Sequence, residues 1–191
     1  MIVSKVEQDV IELFNRDITQ LLSINQIAKL LGKAYPHINS KVNNLIALNV
    51  LNKMEAGRSY LCSLNLKNSL TIALLSLDEA VKKQKLEKKH LKLTKEIRLI
   101  QKKFNIHTII HSRRKLIFVL DHIYDKEAIK KFAKSLKSIN SEYYTKKDFQ
   151  DHIKTNILIL KNKTVVYSCE KFYDILDEIM PEIMVKVMFN E

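Results

Sequence analysis

SINQIAKLLGKAYPHINSKVNNLIALNVLNKMEAGRSYLCSLN, residues 23–65, decides the fold of this chain. Ser23 is a good helix N-cap, and Gln26, three residues on, completes a capping box for a short helix that runs to Leu31. Gly32 then supplies the left-handed residue that ends such a helix. Pro36 fits the first turn of the next helix, where its missing N–H does no harm. Within that helix Ile38, Val42, Leu45 and Ile46 recur at i, i+4, i+7 and i+8 and form an inner face. The outer face reads His37, Asn39, Ser40, Lys41, Asn43 and Asn44, with no acid among them. VLNKM (50–54) and SYLCSL (59–64) follow as two short strands, and Gly57 gives the positive φ of a tight hairpin.

Working outward, KVEQDVIELFN (5–15) places Val6, Val10, Ile11, Leu13 and Phe14 near one face of a first helix. Helix, helix, turn, helix and hairpin in this order make a winged helix-turn-helix. Its third helix, short-chained and polar outside, fits the DNA major groove, where Asn, Ser, His and Lys reach base edges. The expected DNA contacts are Lys33, Tyr35, His37, Asn39, Ser40, Lys41, Asn43, Asn44, Lys53 and Arg58. Lys33, Lys41 and Lys53 would hold phosphates, and Arg58 would reach the minor groove or backbone from the wing tip. A winged helix used only for protein contact is the competing reading. The acid-free outer face stands against it.

Residues 23–65 resemble the winged-helix domains of archaeal and bacterial transcriptional regulators of the broad MarR-like kind. The I-A-x-x-L-G turn (27–32), the V-x-x-L of the third helix (42–45) and the Gly57-Arg58 pair at the wing carry the resemblance. Where that family has a glycine after the recognition helix, this chain has Ala47-Leu-Asn-Val-Leu51. The resemblance implies a transcription regulator that binds double-stranded DNA, expected as a homodimer.

The charge supports a polyanionic partner. The chain has 191 residues and a net charge of +12, and its distribution matters more than its size. Residues 82–115 hold 13 Lys/Arg against 2 Asp/Glu, while residues 116–191 balance at 12 against 12. A clustered excess gains affinity by releasing counterions from phosphates. Lys82, Lys83, Lys88, Lys89, Arg113, Arg114 and Lys115 therefore form a candidate additional basic surface. No apolar run is long enough to span a membrane, and the N-terminal MIVSKVEQDVIELF is amphipathic and carries acids, unlike a signal peptide. Cys62 and Cys169 lie far apart and read as free thiols of a reducing cytoplasm. A cytoplasmic, nucleoid-associated protein without metal or cofactor is expected.

Residues 69–104 read as one long basic bridging helix between a winged-helix domain (1–68) and a C-terminal domain (105–191). Leu70, Leu74, Leu77 and Val81, then Leu93, Ile97, Ile100 and Phe104, form its apolar seam, which serves either a core or a dimer contact. Beyond it, strands at 106–110 and 115–120, a helix at 126–136, a strand at 141–145 and a Thr145-capped helix are expected. Strands at 157–160 and 163–168 follow, then a last helix broken at Pro181. The fold class is α+β.

Residues 105–178 resemble a minimal nucleotidyltransferase-like domain, through SRRKLIFV (112–119) and KDFQDHIKTNILILKNKTVVYSCEKFYDIL (147–176). In that family the strand opens S-D-x-D, and its two carboxylates bind Mg²⁺. Here Arg113 and Lys115 occupy the two positions and would repel the ion. No glycine follows Gly57, so no loop approaches a phosphate closely. Ser112 lacks a nearby base in sequence, and His107 and His111 lack a visible orienting partner. The domain is therefore expected to be non-catalytic, with no catalytic residue. It would serve dimerisation, sensing of an unknown small-molecule or anion effector, or DNA contact. An architectural chromatin protein and a nucleotidyltransferase-type toxin–antitoxin component are the alternatives.

Overall fold

The computed structural model describes residues 3–57, 59–122, 125–135 and 140–189. Arg58, the expected wing-tip contact, lies outside them. The chain is α+β and forms two compact units, residues 1–75 with 184–191, and residues 76–183.

The first unit begins with α1 (Lys5–Arg16), α2 (Ile24–Leu31) and α3 (Tyr35–Ala47). Each start has a local cause. Ser4 and Glu7 form a capping box on α1, and Ser23 and Gln26 form one on α2. Gly32 ends α2 at φ 61°, and its N–H donates to the carbonyls of Ala28 and Lys29. Pro36 occupies the first turn of α3. Ile38, Val42 and Leu45 are buried, as are Val10, Ile11 and Phe14 of α1, whereas Ile46 is only half-buried. Strands β1 (Leu51–Ala56) and β2 (Ser59–Leu64) pair antiparallel, with Gly57 at φ 61° in the turn. Leu22, just before α2, bridges to Cys62 and anchors the hairpin to the helices.

The expected single helix over 69–104 is two helices, α4 (Ser69–Lys89) and α5 (Leu91–Lys103). His90 separates them at φ −132° and ψ 61°. A straight helix of that length would extend about 54 Å. The break lets Leu86 and Leu93 pack on one and the same hydrophobic cluster. The face of α4 also differs from expectation. Thr71, Leu75 and Glu79 are buried, while Leu77 is 56% and Val81 45% exposed.

The second unit holds a four-stranded sheet in the order β5-β4-β3-β6. Its strands are β3 (Ile106–Ser112), β4 (Lys115–Leu120), β5 (Ser141–Thr145) and β6 (Thr164–Tyr167). β4 runs antiparallel to β3 and parallel to β5, and is buried on both faces, as its unbroken apolar run requires. Leu116, Phe118 and Leu120 meet Ile97 and Ile100 of α5 and Ile129 and Ala133 of α6 (Asp125–Ser135). Helix α7 (Lys146–Thr155) starts at the expected Thr145 cap and buries Phe149 and Ile153. Residues 157–160 are a 3-10 turn instead of a strand. The backbone bonds locally there, the Ile159 N–H to the Asn156 carbonyl and the N–H of the following Lys161 to that of Leu158. The last helix, α8 (Cys169–Phe189), continues through Pro181 instead of breaking. Ile179, Met180 and Ile183 are buried on either side of the proline, and this burial offsets the lost backbone bond.

Candidate nucleic-acid interface

Helix α3 turns its apolar stripe inward and leaves His37, Ser40 and Asn43 exposed on the far side. Asn39 is half-buried on the flank, where its side-chain carbonyl accepts from Asn43 Nδ2 at 3.2 Å. Tyr35 is exposed at the start of the helix. No acid lies on α3, so its outer face presents donors and acceptors without repelling a phosphate.

Two of the expected contacts have another task. Glu7 is buried, and its carboxylate accepts from Asn44 Nδ2 at 2.8 Å and from the Ser4 backbone N–H. Lys41 Nζ lies 3.9 Å from the same carboxylate. Burial pushes the Glu7 pKa up, but the Ser4, Asn44 and Lys41 contacts outweigh it and hold the carboxyl below its ordinary value. Asn44 and Lys41 thus tie α3 to the start of α1. Sequence spacing placed Asn44 on the outer face, and nothing in that spacing shows that Glu7 reaches it.

The basic side chains divide in a similar way. Lys33 is exposed, with Asp9 at 4.0 Å. On the wing, Lys53 Nζ sits 3.6 Å above the Tyr60 ring, which holds the ammonium on the outside of β1. Lys82 bonds Asp78 at 2.7 Å and Glu79 at 3.3 Å, so it neutralises acids of its own helix. Lys83 is half-buried, whereas Lys88 and Lys89 are exposed. Lys115 pairs with Glu142 of β5. Arg113 and Arg114 do not head a strand. They form the two-residue turn between β3 and β4, at φ 49° and 65°.

The second unit contains polar features that the sequence did not reveal. Glu79 and Lys163 are buried, with Lys163 Nζ 3.5 Å from the carboxylate. Glu79 also accepts from the Val165 backbone N–H at 2.7 Å. Burial pushes the Lys163 pKa down to about 8 against the pull of Glu79. His107, expected to lack a partner, has Asp121 at 2.6 Å, and Lys171 lies 3.9 Å from that same acid. Ser112 is buried and donates to the Ile159 carbonyl at 2.9 Å, a role in packing. Among the described residues, no group of three His, Cys, Asp or Glu is placed to hold a metal ion. Both thiols are free, Cys62 buried and Cys169 half-buried. No helix among the described residues is long and apolar enough to cross a membrane.

No family model matches the chain, and no curated protein matches it. Among solved structures it is similar to MepR, a transcription regulator of the Staphylococcus aureus multidrug efflux pump MepA. The identity is 18% over 51% of this chain and 80% of that one, with a TM-score of 0.37. It is also similar to the adhesin competence repressor AdcR from Streptococcus pyogenes, at 15% identity over 70% and 77% of the two chains, with a TM-score of 0.38. These likenesses are distant.

Proposed function

We propose that the chain is a transcription regulator that binds double-stranded DNA sequence-selectively through its winged helix. The observation that carries this is the outer face of α3, where His37, Ser40 and Asn43 are exposed and no acid intervenes. Asparagine pairs bidentately with adenine in the major groove, so Asn43 is the principal reader, with His37 and Ser40 beside it. Lys33 and Lys53 hold phosphates on either side, and Tyr35 and Asn39 pack along the groove. Lys41 and Asn44 set the pose of α3 through Glu7.

The C-terminal unit has a non-catalytic role, dimerisation or ligand sensing. Its likeness to minimal nucleotidyltransferases in sequence goes with cations at both metal-ligand positions, and the Ser112 hydroxyl is spent on a carbonyl. Dimerisation would place two copies of α3 about 34 Å apart, one turn of DNA. The exposed Leu77 and Val81, one turn apart on α4, supply an apolar stripe for that contact. An architectural protein needs only phosphate contacts, and the exposed Asn43, with His37 and Ser40 beside it on α3, favours base reading over it.

The test is fluorescence-anisotropy titration of the full chain with its selected duplex and single-base variants of it. Asn43→Ala relaxes discrimination at one base pair by about 1–3 kcal/mol. Equal affinity of wild type and N43A for every variant would sink the assignment of α3 as reader.

A further inference from the structure

We infer that the C-terminal unit binds a phosphorylated small molecule of nucleotide chemistry in the cleft between the His90 break and the β3–β4 turn. The inference deepens the sensing role proposed above and rests on it. The cleft has a volume of about 730 Å³. That is the size of a small-molecule site.

Its lining is one-sided in charge. Lys89 from α4, His90 from the break, Lys92 from α5, His111 from β3 and Arg114 from the turn all line it. No Asp or Glu does. Cations brought from separate elements onto one cavity suit a phosphate, which accepts several charge-assisted hydrogen bonds at once. Leu86, Leu93 and Leu116 form the apolar part of the wall and suit a ring. The first turn of α5 also lines the cleft, and its start carries no side-chain cap.

The turn itself is costly for this sequence. Both of its residues take positive φ, which favours Asn-Gly, yet both are arginine. Arg114 is thereby aimed into the cleft at the expense of backbone comfort. The half-buried His111 adds a pH response. Burial and neighbouring His90 hold its pKa below the ordinary value. A bound phosphate, flanked by His111, Lys89, Lys92 and Arg114, favours the imidazolium form of His111, so binding draws a proton onto that ring.

The test is isothermal titration of the full chain with ATP, AMP, adenosine and inorganic phosphate, beside a duplex-DNA titration of the same sample. ATP should bind more tightly than AMP, AMP more tightly than phosphate, and adenosine not measurably. The double variant Arg113→Asn/Arg114→Gly should melt at a higher temperature yet bind ATP about tenfold more weakly or worse. Lys89→Ala/Lys92→Ala should weaken ATP similarly. Three results would overturn the inference: none of the probes binds, both double variants bind ATP as the wild type does, or any duplex displaces ATP. A chain that binds ATP but no duplex keeps the pocket and sinks the regulator. A chain that binds duplex but no probe does the reverse.

Discussion

The substitution Glu79→Gln removes one charge from the interior of the second unit with almost no change of shape. The new side-chain amide can still accept from the Val165 N–H, which Glu79 holds at 2.7 Å. The change removes the carboxylate that lies 3.5 Å from Lys163 and 3.3 Å from Lys82. Breaking a buried ion pair on one side costs about 3–5 kcal/mol. The pH dependence has a definite sign. Lys163 has a folded pKa of about 8, below that of an unfolded lysine, so folding favours its neutral form and stability rises as the pH rises through this window. Removing Glu79 lowers that pKa further. The penalty is therefore largest at pH below the variant's lowered lysine pKa, shrinks as the pH rises toward 8 by roughly 1 kcal/mol for each unit of further lowering, and is constant above 8. The chain has no tryptophan, and five of its seven tyrosines fall within residues 76–183. Urea unfolding followed by tyrosine fluorescence thus reads mainly the second unit. A loss below about 1 kcal/mol near neutral pH, or an equal loss on both sides of pH 8, would refute the buried-pair reasoning.

Further outcomes follow from the same contacts. Asn44→Ala should cost about 1–3 kcal/mol in urea unfolding of the first unit, because Glu7 loses a donor. That loss should fade as the pH drops through the lowered Glu7 pKa, since the carboxylate's stabilisation is present only above it. Lys53→Ala should weaken binding to all duplexes alike and reduce the salt slope by about 1, whereas Lys82→Gln should leave the slope unchanged, measured by anisotropy over a salt series. Ser23→Ala should lower stability by about 1 kcal/mol through the lost α2 cap, read by thermal unfolding.

Local chemistry made the first unit legible. Ser23, Gly32, Pro36 and Gly57 each dictate a backbone state, and the structure has all four in place. Thr145 did the same for α7. Failures came where tertiary contacts outrank local pattern. Apolar spacing chose Leu70, Leu74, Leu77 and Val81 as the inner face of α4, but Thr71, Leu75 and Glu79 are the buried residues, and Glu79 can be one because Lys163, Lys82 and the Val165 N–H receive its charge. The break at His90 has no proline or glycine to announce it. Pro181 announced a break that burial overrode. Asn44 shows the limit for the site: spacing finds an exposed face, and only the fold shows that Glu7 claims part of it.

Selection of bound sequences from a randomised duplex pool, run in parallel with wild type and Asn43→Ala at two salt concentrations, tests sequence-selective reading by α3 most directly. The wild type should enrich one motif at both salts, and the variant should lose one position of it while keeping its salt dependence. A pool that stays unenriched by the wild type, or is enriched identically by the variant, would contradict the account.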